Sequence, residues 1–129
     1  MASEQDDEPS SAVWDKITAR IDQLEQARDT LTIRAHEGVW ATSSPGVSRK
    51  LLHVDAEWQA FLVKIDPGAK VPPHGHAILE ECLVLEGEFE VGAETVRKGD
   101  LHLAFAGHDH LEIVSPTGAL LYIRAAVGG

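Results

Sequence analysis

The chain has 129 residues, 43% of them hydrophobic, and a formal charge of −10. That is one domain's worth of chain, able to bury a core without disulfides or metal staples. The charge excludes nucleic acid, because no basic surplus exists to neutralise phosphates. The single Cys82 excludes an internal disulfide framework. No apolar run nears the ~20 residues of a membrane span, so no membrane partner is expected. The acidic start lacks the basic-then-apolar order of a secretory leader, so a cytoplasmic location is expected.

In chain order, residues 1–10 are polar and charged and read as a disordered acidic tail. Residues 11–37 carry a helical pattern. Ser11 is a plausible N-cap, and Trp14, Ile17, Ile21, Leu24 and Leu31 recur at spacings of three and four, with Arg28 interrupting. This N-terminal helix either packs on its own domain or offers a seam to a partner chain. After Gly38 the period becomes that of strands, and residues 38–129 read as one barrel. Val47–Val54 and Trp58–Ile65 flank Asp55-Ala56-Glu57 as a hairpin. Strands at Glu81–Leu85 and Phe89–Val91 follow, separated by a turn at Glu86-Gly87-Glu88. Further strands are expected at Thr95–Arg97, Leu101–Phe105, Leu111–Val114 and Ala119–Ala125. Many short strands between regular turn signals mean an all-β sandwich or barrel.

The chemistry-bearing residues fall in two stretches. In an extended segment His74 and His76 project to the same side, since side chains alternate with period two. Two neutral imidazoles so placed can grip one metal, and Glu80 comes within reach if the intervening residues turn. Two His with a carboxylate suit Zn, Fe, Mn or Ni, ions that accept nitrogen and oxygen together. A second stretch, Gly99 to His110, supplies a further candidate ligand on a neighbouring strand.

Gly68, five residues, His74-x-His76, three residues, Glu80, six residues and Gly87 match the first cupin motif without a gap. Gly99, five residues, Phe105-x-Gly107, two residues and His110 follow the second, with Phe105 in place of the usual proline and Val114 in place of the usual asparagine. The chain therefore resembles the cupins from roughly Gly38 to Ala125. More narrowly, Trp40, Pro45-Gly46-Val47, Lys50-Leu51-Leu52, Pro67-Gly68 and Glu80-Glu81 are similar to the ChrR-like cupins. That resemblance implies an all-β cupin double-sheet jelly roll with one divalent transition metal on His74, His76, Glu80 and His110. Iron and zinc are the leading candidates, with manganese or nickel as others. It also implies two functional classes. One is a metal-dependent dioxygenase acting on a small dicarbonyl or hydroxyketone, as in acetylacetone dioxygenase-like cupins, with Glu80 as a fourth or displaceable ligand and the residue assigned to catalysis. The other is a non-catalytic zinc-binding sensor of the anti-sigma type. The sigma-binding domain of such factors carries His and Cys ligands, whereas this chain has only a short cysteine-free helix there.

Strand parity adds further expectations. If Glu80 points inward, so do Cys82 and Val84, while Glu81, Leu83 and Leu85 point out. Cys82 then reads as a small buried apolar residue on the metal side. Leu101, Leu103, Phe105 and Val84 are candidates for an apolar substrate wall. His102 and His108 read as exposed, and Glu112, sharing parity with His110, as a solvated strand residue, a carboxylate that orients a metal ligand, or a general base. Outward Leu83 and Leu85 need cover, from the helix or from a second copy; a homodimer is expected.

Overall fold

The computed structural model describes the backbone over residues 11–27, 29–75 and 79–127, and side chains over 11–21, 29–73, 79–109 and 111–127. Among the described residues one helix, α1 (Ser11–Ala27), precedes eleven strands. They are β1 (Trp40–Ser44), β2 (Val47–Val54), β3 (Trp58–Ile65), β4 (Lys70–Val71), β5 (His74–Gly75) and β6 (Glu80–Val91). After these come β7 (Glu94–Arg97), β8 (Leu101–Ala104), β9 (Asp109–His110), β10 (Ile113–Val114) and β11 (Ala119–Ala126). The acidic tail lies outside the described residues.

All pairings are antiparallel, and they wrap into a nearly closed barrel. One layer runs β1-β2-β3-β11-β6, with β8 on the far side of the first half of β6. The second half of β6 pairs with β7 and β10, and β10 with β4. A separate ribbon joins β5 to β9. The long β6 therefore belongs to both layers. Glu86-Gly87-Glu88, expected as a turn, lies inside this strand. Leu120 pairs with Glu86 and Leu121 with Val84, so Leu85 is left over as a bulge. The extra residue exchanges the two faces of the strand. Before it Cys82 and Val84 are buried; after it Phe89 is. Gly87 sits at φ 74, and a Cβ there would run into the Gly118 carbonyl. Only glycine allows so close a crossing.

A second bulge shapes β2. Leu51 pairs with Phe61 and His53 with Ala60, leaving Leu52 over. Val47, Arg49 and Leu51 consequently share a face, opposite Ile65, Val63 and Phe61. The core gathers Val47, Phe61, Val63, Ile65, Val84, Phe89 and Leu121. Each such side chain contributes on the order of 1.5–3 kcal/mol of apolar burial.

Helix α1 stops at Ala27 rather than near Glu37. Asp29, Thr30, Thr32 and Ile33 are weak helix formers and compete with the helical backbone. Ile21 is buried, and Trp14 and Thr18 share a groove with Val54, Ala56 and Gln59, so the helix packs on its own barrel. Leu31 lies beyond the helix, half-buried, and the side chain of Leu24 is outside the described residues. Among the described residues no helix is long and apolar enough to cross a membrane.

Candidate metal centre and barrel cavity

Between the two layers lies a cavity of about 310 Å³, near the lower limit of small-molecule sites. Its wall is mostly apolar, with Phe61, Val63, Ile65, Leu121 and Ile123 among the contributors. Among the described residues five polar or reactive side chains break that wall: Ser43, Arg49, Glu80, Cys82 and His102.

Strand register explains who faces inward. Cys82 pairs with His102 and Glu80 with Ala104 across β6 and β8, so these four line the cavity together. Leu83 pairs with Leu101 and Glu81 with Leu103 on the outer face. Leu101, Leu103 and Phe105 are accordingly exposed (60%, 38% and 61%) and form no part of the cavity wall. The expected apolar substrate wall is thus misplaced by one residue along β8. Val84 is buried in the core rather than on the cavity lining. His102, read as exposed, is half-buried and meets Phe89 edge-on, ring centroids 5.6 Å apart at 85°. The alternation of β8 fits either orientation, and its inward residues are small or polar because they border a void. His108 and Glu112 are exposed, as expected.

Cys82 is buried, as its parity predicts. Burial in the barrel, with a smaller push from the Glu80 carboxylate, raises its thiol to about 12. At neutral pH the group is a neutral thiol, a weak nucleophile and metal ligand.

Of the four residues expected to hold the metal, Glu80 is half-buried on the cavity wall at the first position of β6. His74 and His110 are register partners in the β5–β9 ribbon. Directly opposed residues of an antiparallel pair have Cα atoms about 4.5–5.5 Å apart, a separation from which two imidazoles can serve one ion. His76, and the side chains of His74 and His110, lie outside the described residues. Among the described residues no group of three or more His, Cys, Asp or Glu gathers to hold a metal. The register pairing and the nitrogen-oxygen donor set fit a borderline divalent ion.

Arg49 escaped the sequence reading. Counted back by twos from buried Val54, it falls on the outward side; the bulge at Leu52 reverses that parity. The basic residue in the middle of an apolar strand was the available signal.

The sequence profile of the ChrR cupin-like domain matches residues 28–126. The anti-sigma-E factor ChrR of Cereibacter sphaeroides is 35% identical over 74 residues, 57% of this chain and 35% of ChrR. The chain thus spans about a third of that relative's length. The crystal structure of Rhodobacter sphaeroides SigE in complex with the anti-sigma ChrR aligns at TM-score 0.61 and 33% identity, covering 74% of this chain and 51% of that one. KdgF from Halomonas sp. aligns at TM-score 0.69 and 26% identity, over 78% of this chain and 96% of that one. An acetylacetone dioxygenase from Acinetobacter johnsonii, at TM-score 0.64 and 18% identity over 77% of this chain and 74% of that one, shares the fold.

Proposed function

This chain belongs to the ChrR cupin-like domain family, and from that membership we propose that it is a metal-dependent dioxygenase acting on a small dicarbonyl or hydroxyketone. His74, His76, Glu80 and His110 hold one divalent transition metal, iron in the catalytic form. The observation that carries this reading is the cavity of about 310 Å³ with Glu80 on its wall. A metal kept only to brace the barrel needs no such space beside it. When bound, iron supplies oxygen activation and a chelating seat for the substrate's paired oxygens. The chain's own residues do the rest. Phe61, Val63 and Ile123 exclude water around the substrate's carbon skeleton, and Glu80 serves as a fourth donor or yields its position to substrate.

Protein loaded with Fe(II) is expected to consume O₂ in the presence of a 1,3-diketone, and protein loaded with redox-inert Zn is not. Absence of O₂ uptake with Fe, Mn and Ni across a panel of chelating diketones and hydroxyketones overturns the enzyme reading.

A second reading is favoured by the 35% identity to ChrR: a zinc-binding regulatory barrel that signals to a protein partner. Tight retention of zinc with no exchangeable coordination position supports it.

Assembly as a homodimer rests on the outer face of β6 and β8. Leu83 and Leu101 are opposed there, and Leu101, Leu103, Phe105 and Leu111 are all exposed. Among the described residues β8 pairs only with β6, so its other edge is open to a second copy. Light scattering showing a mass near 14.0 kDa rejects the dimer; Leu83→Glu is expected to dissociate it with metal retained.

A further inference from the structure

We propose that the barrel cavity has a side exit along the free edge of β8, and that the ligand's unbranched hydrocarbon chain leaves through it. This deepens the reading above, on which the ligand's paired oxygens face the metal.

The exit follows from the sheet topology. β8 pairs with β6 over Leu101–Ala104, and among the described residues no strand lies along its other edge. The second half of β6 turns away to pair with β7 and β10. A groove of about 330 Å³ lies where the two layers part, lined by Val91 from the second layer and by Leu103, Phe105 and Leu111. His102 and Ala104 line both this groove and the barrel cavity. The His102 ring stands edge-on to Phe89, centroids 5.6 Å apart, which places it on the Phe89 side of that shared wall. Ala104, the last residue of β8, contributes only a methyl group to it. The passage therefore runs beside Ala104.

The groove's chemistry selects its occupant. Leu103, Phe105 and Leu111 are exposed, an apolar strip of the kind that marks a binding surface. His108 and Asp109, the other described residues of the lining, are exposed too and offer a ligand no desolvated polar contact. A second copy docked on the outer face does not fill this space. Leu83 and Leu101, opposed on that face, are not part of the groove. Val91 packs against the core, and His102 and Ala104 face the cavity, beyond reach of a strand edge laid outside. A hydrocarbon chain that starts inside the barrel reaches all three. The ligand class is therefore a dicarbonyl compound with its chelating head in the cavity and an alkyl chain in the groove.

The test compares 2,4-pentanedione with homologues lengthened at one end, up to 2,4-undecanedione. Binding is measured by calorimetry on the full chain loaded with Zn, which prevents turnover. Affinity is expected to rise about two- to fourfold per added methylene through the longest homologue, as apolar burial continues outside the cavity. Leu103→Asp should flatten that rise and leave 2,4-pentanedione binding unchanged. Phe105→Ser, at a more exposed position, should do the same and guards against a folding defect in the first variant. Ala104→Leu, which narrows the passage, should turn the rise into a fall for the longest homologues. An affinity that peaks at a short homologue in wild type, as a closed cavity requires, overturns the proposal. So does a rise that survives both Leu103→Asp and Phe105→Ser, or one that disappears with the dimer in Leu83→Glu. A matched series of 2-alkanones, which cannot chelate, is measured on metal-free protein. A Leu103-dependent rise there, with dione binding that gains nothing from metal, upholds the exit and defeats the chelation reading. Metal-dependent dione binding with no gain in chain length does the reverse.

Discussion

The two ends of the barrel are built differently. At one end, glycine turns knit the backbone to itself. The Asp66 amide donates to the Gly46 carbonyl at 2.8 Å, the Gly68 amide to Ser115 at 2.7 Å and the Gly99 amide to Val84 at 2.8 Å. Ser115, with no exposed surface, donates its hydroxyl to the Glu88 carbonyl at 2.6 Å. Phe89, Ile65 and Val84, each at most 2% exposed, pack directly behind these turns. At the other end the strands run out at Val54, Glu80, Ala104 and Ala126, and the β5–β9 ribbon is two register pairs long. Buried apolar mass and turn hydrogen bonds hold the first end, which frees the second for titratable side chains that add little to folding. The difference explains why one fold tolerates varied chemistry: the barrel does not depend on its mouth.

That contrast can be broken from the closed end. Phe89→Ala is expected to cost about 3–5 kcal/mol in urea unfolding of metal-free protein, because it empties a fully enclosed aromatic site. A loss under about 1 kcal/mol would show that the closed end does not carry the fold. The open end should respond to metal instead. With free metal at about 100 times its dissociation constant, wild type gains about 2.7 kcal/mol. His74→Ala and His110→Ala should each lose that gain, together with metal content on elemental analysis. The smallest effect concerns the β2–β3 turn at the rim. The Asp55 carboxylate accepts from the amides of Glu57 at 2.8 Å and Trp58 at 3.0 Å, and approaches the His53 ring at 3.2 Å. The Trp58 amide, above all, holds its carboxyl below the ordinary 3.8. A depressed folded-state value stabilises above the unfolded one and is lost as pH falls through the folded one. Asp55→Asn should therefore cost about 1 kcal/mol at neutral pH, and the gap from wild type should shrink below pH 3.8. A gap that widens in acid would contradict the assignment.

Legibility in the sequence follows the same division. The β2–β3 hairpin occurs with the bounds that its alternation and turn residues announce, because local propensity and tertiary pairing agree there. Gly87 misleads because Glu-Gly-Glu has the chemistry of a turn, whereas its role is a close crossing over Gly118 that only the assembled barrel reveals. Both bulges, at Leu52 and Leu85, reverse side-chain parity without any mark in the residue pattern. They account for Arg49 being missed, and the orientation of β8, set by its register on β6, for the error at His102 and Leu101. The spacing of His74, His76 and Glu80 is legible because it lies within one short stretch of chain. The opposition of His74 to His110 is a long-range pairing and is not.

The ammonium of Lys50 donates to the Ala35 carbonyl, and the residue keeps only 4% of its surface exposed, beneath the turn where the Glu37 amide donates to Arg34. A chain shortened to begin at Trp40 would uncover a cation that the barrel wall is built to hide. The heritable module is thus longer than its sheets: the irregular stretch before β1 travels with the barrel as its outer jacket. The family profile, beginning at residue 28, draws the boundary in the same place.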